Sequence, residues 1–170
     1  MQEKIIILDF GSQYTQLIAR RIREMQVYCE IHPFNRMPEL DSSVRGVILS
    51  GSPSSVRDDQ APRIDLDGIK GRLPLLGICY GAQYLAHFFG GRVEASASRE
   101  YGRSQMRVVE PDDALMQSLS PRSQVWMSHG DTITSIPDAY RIVASTDDVA
   151  IAAYRIDGEQ TWGIQFHHEV

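Results

Sequence analysis

Cys79 is the residue whose surroundings point most clearly to chemistry, because it lies in the pattern Gly-x-Cys-x-Gly between an apolar run and a helical pattern. A nucleophile on a tight strand-to-helix turn, a nucleophile elbow, stands exposed at the edge of a sheet. Glycines on both sides allow the strand and helix to approach closely. The helix N-terminus would favour the thiolate, and the N–H of Tyr80 would face a developing oxyanion. We therefore predict a nucleophile here, and strand packing for Cys29, which lacks this context.

A cysteine nucleophile needs a base, and the sequence contains five histidines. His32 precedes a proline and is expected in a surface loop, and His87 lies at least one helical turn beyond the cysteine. His129 and the His167–His168 pair remain as candidates. An apolar run over residues 162–166 would deliver His167 at the carboxyl end of a strand, the edge at which sites of open α/β sheets assemble. This placement favours His167 as the base.

The imidazole and the oxyanion each need a further partner. Glu169 lies two residues after His167, and residues two apart in extended backbone point the same way, so Glu169 can orient the ring. The set then contains a nucleophile, a base and an orienting carboxylate. A second oxyanion donor is expected from a loop after another strand, and the N–H of Gly51 in Ser50–Pro53 is the candidate. From the residues alone, an oxyanion loop and a plain turn fit this segment about equally well.

Composition and charge limit the class of protein. The length of 170 residues suits one domain, and the net charge of −5 argues against a nucleic-acid-binding protein. Two cysteines without a CxxC pattern indicate neither a disulfide scaffold nor a zinc site. No apolar stretch has the length of a membrane span or a signal peptide. We expect a cytoplasmic protein with no metal site, no nucleic-acid partner and no contact with membranes.

Apolar runs and helical patterns alternate in the first half of the chain, which is typical of an α/β domain with a parallel sheet. Strands are predicted there at residues 5–8, 27–31, 47–49 and 73–78, and helices at residues 14–25 and 80–89. The second half predicts short strands at residues 105–109, 124–127, 141–144, 150–156 and 161–165. The predicted fold is an open, mostly parallel, flavodoxin-like sheet flanked by helices, with additional antiparallel strands in the second half.

Three segments together resemble the class I (triad) glutamine amidotransferases. They are GICYGAQ at residues 77–83, SGSP at residues 50–53 and FHHEV at residues 166–170. The resemblance extends over essentially the whole chain. Residues 8–21 and 126–131 are further similar to the GMP synthetase branch of this family, and SGSP in place of the more usual Gly-Gly-Pro favours the same branch.

This resemblance implies a role for each motif residue. The implied triad is Cys79, His167 and Glu169, and the implied oxyanion donors are the N–H groups of Gly51 and Tyr80. The residues implied to surround bound glutamine are Gln83, Ser128, His129 and Asp131. Residues 126–131 would form a loop at the glutamine site, so that His129 is a loop residue and not the base.

The implied reaction is the hydrolysis of L-glutamine to glutamate and ammonia through a thioester on Cys79. The ammonia would pass to an ATP pyrophosphatase (synthetase) domain or subunit that aminates XMP to GMP. Because no Gly-rich nucleotide loop is visible in the chain, ATP and Mg²⁺ are expected in that other part and no cofactor in this one. Residues 1–170 are expected to form one domain, a fragment or subunit of a longer enzyme, and a homodimer of the full enzyme is left open.

Two alternatives remain beside this interpretation. The chain could serve anthranilate, aminodeoxychorismate or carbamoyl phosphate synthesis, although the Gly51 loop and the N-terminal segment count against that. It could also be a catalytically silent regulatory module, against which the intact Cys79, His167 and Glu169 argue. One departure concerns His168, which stands where the family has proline and relaxes the local backbone. We expect the triad to survive this change.

Overall fold

A computed structural model describes residues 2–117 and 119–167, and for residues 97–101, 128 and 129 it describes the backbone alone. This part of the chain contains two α-helices and ten β-strands. In chain order they are β1 (Lys4–Asp9), α1 (Thr15–Glu24), β2 (Cys29–Pro33), β3 (Val44–Leu49), β4 (Leu75–Ile78), α2 (Tyr80–His87), β5 (Arg92–Val108), β6 (Arg122–Ser135), β7 (Tyr140–Thr146), β8 (Ala153–Ile156), β9 (Thr161–Ile164) and β10 (Phe166–His167).

The described strands form one sheet in the order β10-β6-β5-β7-β8-β9-β4-β3-β1-β2. Strands β2, β1, β3, β4 and β9 are joined by four parallel pairings. The other five described pairings are antiparallel and all lie in the second half of the chain. The α/β class and the added antiparallel strands are confirmed. The sheet is mixed rather than mostly parallel. The second half of the chain contributes more antiparallel pairings than its short apolar runs predict.

The two helices cover opposite faces of the sheet, as predicted. In β1, Ile6 and Leu8 pack in the same apolar cluster as α2, whereas Ile7 packs with α1. This division follows from the two-residue period of side chains along a strand. Because both faces are covered, β1 is apolar at every central position instead of alternating. Within the described part of the chain, no helix is long and apolar enough to cross a membrane.

Strand β2 begins two residues later than predicted. Val27 and Tyr28, whose apolar character suggested a strand, are 39% and 43% exposed and precede it. The prediction that His32 lies in a surface loop is wrong, because His32 is in β2 and pairs with Leu8 of β1. The strand also places His32 Nε2 3.0 Å from Glu30 Oε1, on the same side of the edge strand. Cys29 is buried in β2, as expected.

The largest difference from the predicted elements is the hairpin formed by β5 and β6, which have 17 and 14 residues. Only residues 105–109 and 124–127 were predicted to be strands, because the remaining hairpin residues are polar and lack alternation. Pairing between the two strands, from Arg92 opposite Ser135 to Arg107 opposite Arg122, holds this polar sequence extended. The predicted glutamine-site loop at residues 126–131 is consequently wrong as a loop, since these residues lie within β6.

The last predicted strand, residues 161–165, is also divided differently. β9 ends at Ile164 and pairs with β4 and β8, whereas β10 pairs with β6. Gln165 alone separates the two strands. The chain therefore changes partners directly before His167.

Candidate active site

Cys79 occupies a strained turn between β4 and α2. Its backbone has φ 51° and ψ −103°, a positive φ that is uncommon for a residue with a side chain and is found at functional sites. The flanking glycines are required by space, as predicted. A Cβ on Gly77 would lie 2.5 Å from the backbone carbon of Gly81, and one on Gly81 would lie 2.6 Å from the carbonyl oxygen of Leu49. The Cys79 N–H donates to the Ile164 carbonyl at 2.8 Å, which ties the turn to β9.

The cysteine lies against the histidine that the sequence favours as a base. Cys79 Sγ is 3.0 Å from His167 Nε2 and 3.1 Å from the carbonyl oxygen of Gln165. Both side chains are buried, with 5% and 4% exposure. His167 pairs with Trp126 of β6, so the imidazole is placed by β10 and the nucleophile by β4. This distance is within the range expected of a nucleophile and its base.

Not every predicted member of the site can be located. Glu169, the predicted partner of the imidazole, lies outside the described residues, as does His168. Ser128 and His129 lie in β6, where their backbones pair with Tyr101 and Glu100 of β5. The roles predicted for these four residues stay predictions.

Tyr14 is a site residue that the sequence interpretation missed. Its ring lies 4.7 Å from the His167 ring, centroid to centroid, at an angle of 57°. The turn that carries Tyr14 is fixed by Asp9, whose Oδ1 accepts hydrogen bonds from the Gly11 N–H at 2.8 Å and from the Thr15 hydroxyl at 2.9 Å. Only the carboxyl-end position of this turn, after β1, could have suggested its proximity to the site.

A cavity of about 860 Å³ opens in front of the cysteine. Its walls come from the turns after β1 and β3, the start of α2, the β5–β6 hairpin and His167. Six predicted site residues line it: Gly51, Cys79, Tyr80, Gln83, Asp131 and His167. The site therefore lies at the carboxyl ends of the parallel strands, as the rule for open α/β sheets predicts.

Gly51 and Tyr80 lie beside the cysteine, where the predicted oxyanion donors should be. A Cβ on Gly51 would be 3.7 Å from the Cβ of Cys79, and the Gly51 carbonyl is held by the Ser50 hydroxyl at 2.9 Å. Tyr80 is the first residue of α2, and the first N–H groups of a helix have no partner within the helix. Its phenol turns away to donate to the Pro62 carbonyl at 2.7 Å, and burial raises the pKa of this phenol. The oxyanion roles of Gly51 and Tyr80 stay predictions, as does the choice between an oxyanion loop and a plain turn at Gly51.

The far wall of the cavity is organised around two amides and a carboxylate. Gln83 Nε2 donates to Gln165 Oε1 at 3.1 Å and to the backbone carbonyl of Asp131 at 3.3 Å. The Asp131 carboxylate accepts from the Ser55 hydroxyl and, at 3.1 Å, from Arg57 Nη1. Sequence interpretation missed Ser55 and Arg57, since 76 and 74 positions separate them from Asp131 and no local pattern links them.

Metal ligands were not predicted for this chain. Among the described residues, no group of three or more His, Cys, Asp or Glu side chains could hold a metal ion.

Comparison with known proteins decides the family. The family model described as "Glutamine amidotransferase class-I" matches residues 6–170. The chain belongs to the class-I glutamine amidotransferases. The resemblance carried by the three motifs is thereby confirmed over nearly the entire chain.

The curated members of the family that this amidotransferase matches include two bacterial enzymes named GMP synthase [glutamine-hydrolyzing]. Those of Porphyromonas gingivalis and Cytophaga hutchinsonii are each 61% identical to the chain over all of its length, and the matched region is 34% and 33% of theirs. The chain thus spans about a third of the length of these relatives.

Solved structures place the amidotransferase in the same fold. A Thermoplasma acidophilum protein described as a GMP synthase subunit superposes with a TM-score of 0.83 and 28% identity, over 100% of this chain and 86% of the other. A Thermotoga maritima glutamine amidotransferase superposes with a TM-score of 0.79 at 19% identity, over 100% of this chain and 77% of the other, a likeness of fold.

Proposed function

We propose that this chain is the glutaminase part of a GMP synthase and that Cys79 is its nucleophile. The observation that carries the proposal is the 3.0 Å contact between Cys79 Sγ and His167 Nε2 in the cavity of a class-I glutamine amidotransferase. A buried thiol beside an imidazole at the start of a helix has the arrangement of an activated cysteine.

In the proposed first half-reaction, His167 takes the thiol proton and the Cys79 sulfur attacks the side-chain amide carbon of glutamine. The negative charge on the carbonyl oxygen is held by the N–H groups of Gly51 and Tyr80. When this tetrahedral intermediate collapses, the carbon–nitrogen bond breaks, and His167 returns the proton to the departing nitrogen. Ammonia leaves and a γ-glutamyl thioester remains on Cys79.

In the second half-reaction, water attacks the thioester carbon and gives a proton to His167. A second oxyanion forms at the same two N–H groups, and its collapse breaks the carbon–sulfur bond. Glutamate leaves and Cys79 regains its proton. In the same proposal Glu169 orients the imidazole, while Gln83, Ser128, His129 and Asp131 contact the substrate.

The second part of the proposal concerns the use of the ammonia. The relatives at 61% identity are named GMP synthase [glutamine-hydrolyzing] and are about three times as long as this chain. We infer that the ammonia passes to a synthetase part that uses ATP and Mg²⁺ to aminate XMP, either fused or as a separate subunit. The proposed compartment is the cytoplasm, in keeping with the free state of Cys29 and Cys79. The anthranilate, aminodeoxychorismate and carbamoyl phosphate alternatives are not favoured by these relatives.

Labelling with a glutamine-analogue diazoketone tests the nucleophile. The expected result is one adduct per chain on Cys79, none in Cys79→Ala and full labelling in the matched control Cys29→Ala. An adduct on Cys29, or unchanged labelling of Cys79→Ala, would overturn the assignment.

Amination of XMP tests the use of the ammonia. With the synthetase part present, Cys79→Ala should lose glutamine-dependent GMP formation and retain the reaction driven by ammonium chloride. Loss of both reactions, or of neither, would contradict the proposed division of labour.

A further inference from the structure

Gln165 has a buried side-chain amide that lies next to the cavity without lining it. The residue is 1% exposed, whereas Gln83 of α2 is one of the residues that line the cavity. The backbone of Gln165 is held on two sides. Its N–H donates to the Ala152 carbonyl at 2.8 Å, and its carbonyl oxygen lies 3.1 Å from Cys79 Sγ. The amide of Gln165 therefore extends from a backbone position that is fixed beside the nucleophile.

The contacts of Gln83 determine which way its amide faces. Nε2 lies 3.1 Å from Gln165 Oε1 and 3.3 Å from the backbone carbonyl oxygen of Asp131. A backbone carbonyl only accepts hydrogen bonds, so the group that faces it must be the NH2. An NH2 group has two N–H donors, and these two contacts engage both of them. The oxygen of the Gln83 amide is consequently the atom that remains for a ligand in the cavity.

Stability does not explain the amide of Gln165. Its Nε2 is buried and has no hydrogen-bond partner among the described residues. An unpaired buried donor opposes folding. Methionine is unbranched and adaptable, carries no such donor, and would fill the same space. The hydrogen bond that Gln165 Oε1 accepts from Gln83 is the contact that gives a reason for an amide at this position.

We propose that Gln165 is a positioning residue that holds the Gln83 amide oxygen toward the substrate. This inference rests on the proposed glutaminase function, in which Gln83 contacts bound glutamine. Glutamine carries N–H groups on its α-ammonium and on its carboxamide, and an amide oxygen accepts from either. Without the acceptor on Gln165, the Gln83 amide is free to turn over and present its NH2 group, which cannot accept. Gln165 thus favours glutamine binding from outside the cavity lining.

Glutamate release by the intact protein that contains this chain, with ATP and XMP present, measures the effect of Gln165→Met. The KM for glutamine should rise about 3- to 10-fold, the range of one lost hydrogen bond, while kcat changes less than about twofold. Tm should fall by less than about 2 °C, because the substitution also removes the unpaired Nε2. Gln165→Leu, which likewise lacks an acceptor, should raise KM in the same way.

A double-mutant cycle shows whether Gln165 acts through Gln83. Gln83→Met alone should raise KM, and adding Gln165→Met should raise it no further, since the group that Gln165 positions is already gone. The matched control is Gln124→Met, which replaces an exposed glutamine of β6 that does not line the cavity. This control should leave KM and kcat unchanged.

The outcomes separate a positioning role from a structural one. An unchanged KM in Gln165→Met, or effects of the two substitutions on KM that multiply, would overturn the role of Gln165. A fall in Tm or kcat without a rise in KM would do the same, as would failure of both Gln165→Met and Gln165→Leu to fold. Wild-type protein that releases no glutamate would instead overturn the proposed glutaminase function.

Discussion

Gly77→Ala tests whether the close packing of β4 against α2 is what aims the nucleophile. The added Cβ would lie 2.5 Å and 2.6 Å from the carbonyl carbon and oxygen of Gly81, and 2.7 Å from the nitrogen of Ala82. All three are backbone atoms of the first turn of α2, so no side-chain rotation relieves the overlap. The helix has to move away from the sheet, and the N–H of Tyr80 moves with it.

The magnitude follows from the cost of overpacking a close-packed site. Such insertions destabilise by about 1–3 kcal/mol, and a clash with backbone alone belongs at the upper end. In a domain of this size, about 3 kcal/mol lowers Tm by roughly 6–12 °C. If the N–H of Tyr80 is an oxyanion donor, as proposed, displacing it should lower the rate of the reaction at Cys79 about 100- to 1,000-fold. Alanine is intrinsically no worse than glycine in a strand, so the loss of stability in Gly77→Ala measures the steric clash with α2.

The assay combines thermal melts with diazoketone labelling of Cys79. The control is Gly46→Ala in the neighbouring β3, where the nearest atom, at 3.2 Å, is the end of the Ile5 side chain. A side chain can rotate away, so Gly46→Ala should shift Tm by less than 4 °C and keep its labelling rate within twofold. If Gly77→Ala melts within 2 °C of the wild type and labels at the same rate, the helix position does not aim the nucleophile.

Three further substitutions test separate contacts. Tyr14→Ala removes the ring that packs 4.7 Å from His167 and should lower the diazoketone labelling rate about 3- to 10-fold between pH 6 and 9, whereas Tyr14→Phe should keep it. Tyr154→Phe removes the phenol that donates to the Ala82 carbonyl at 2.5 Å and should cost about 1 kcal/mol at pH 7, measured by urea unfolding. Burial raises the pKa of the Tyr154 phenol in the folded protein. The contribution of this phenol to the free energy of unfolding is therefore fully present below about pH 10, where tyrosine titrates in the unfolded chain, and is lost as the pH rises further. The difference in stability between Tyr154→Phe and the wild type should shrink toward pH 11. Thr161→Val should raise stability by about 1 kcal/mol in the same unfolding assay, because the buried Thr161 hydroxyl has no hydrogen-bond partner among the described residues.

Each of these expectations has a clear contrary result. Labelling of Tyr14→Ala at the wild-type rate would show that the ring does not position His167. A cost of Tyr154→Phe that stays constant from pH 7 to pH 11 would contradict the raised pKa. A Thr161→Val protein less stable than the wild type by 1 kcal/mol or more would mean that the hydroxyl has a partner.

The parts of the site that could be predicted from sequence are those encoded within a few residues. The elbow at Cys79 needs glycine two positions away on each side, and the structure shows that both glycines face backbone atoms. The delivery of His167 at the end of an apolar run was predictable for the same reason. Both predictions use local rules for strands and turns.

The missed features depend on pairing between distant residues. The polar residues of β5 before residue 105 are extended because β6 pairs with them, and their own sequence does not predict a strand. The contact of Ser55 and Arg57 with Asp131 arises only when the loop after β3 meets that hairpin. Conversely, Val27 and Tyr28 have strand-forming side chains but remain outside β2, since tertiary context overrides propensity.

The change of partners at Gln165 has a mechanical consequence. Strands β9 and β10 are separated by that single residue, while β10, β6, β5, β7, β8 and β9 are successive neighbours in the sheet. These six strands thus form a circuit with no free end, and Gln165 is the covalent seam that closes it. The β5–β6 hairpin is thus connected to the contact between His167 and Cys79 by two routes, directly through β10 and the longer way through β7, β8 and β9.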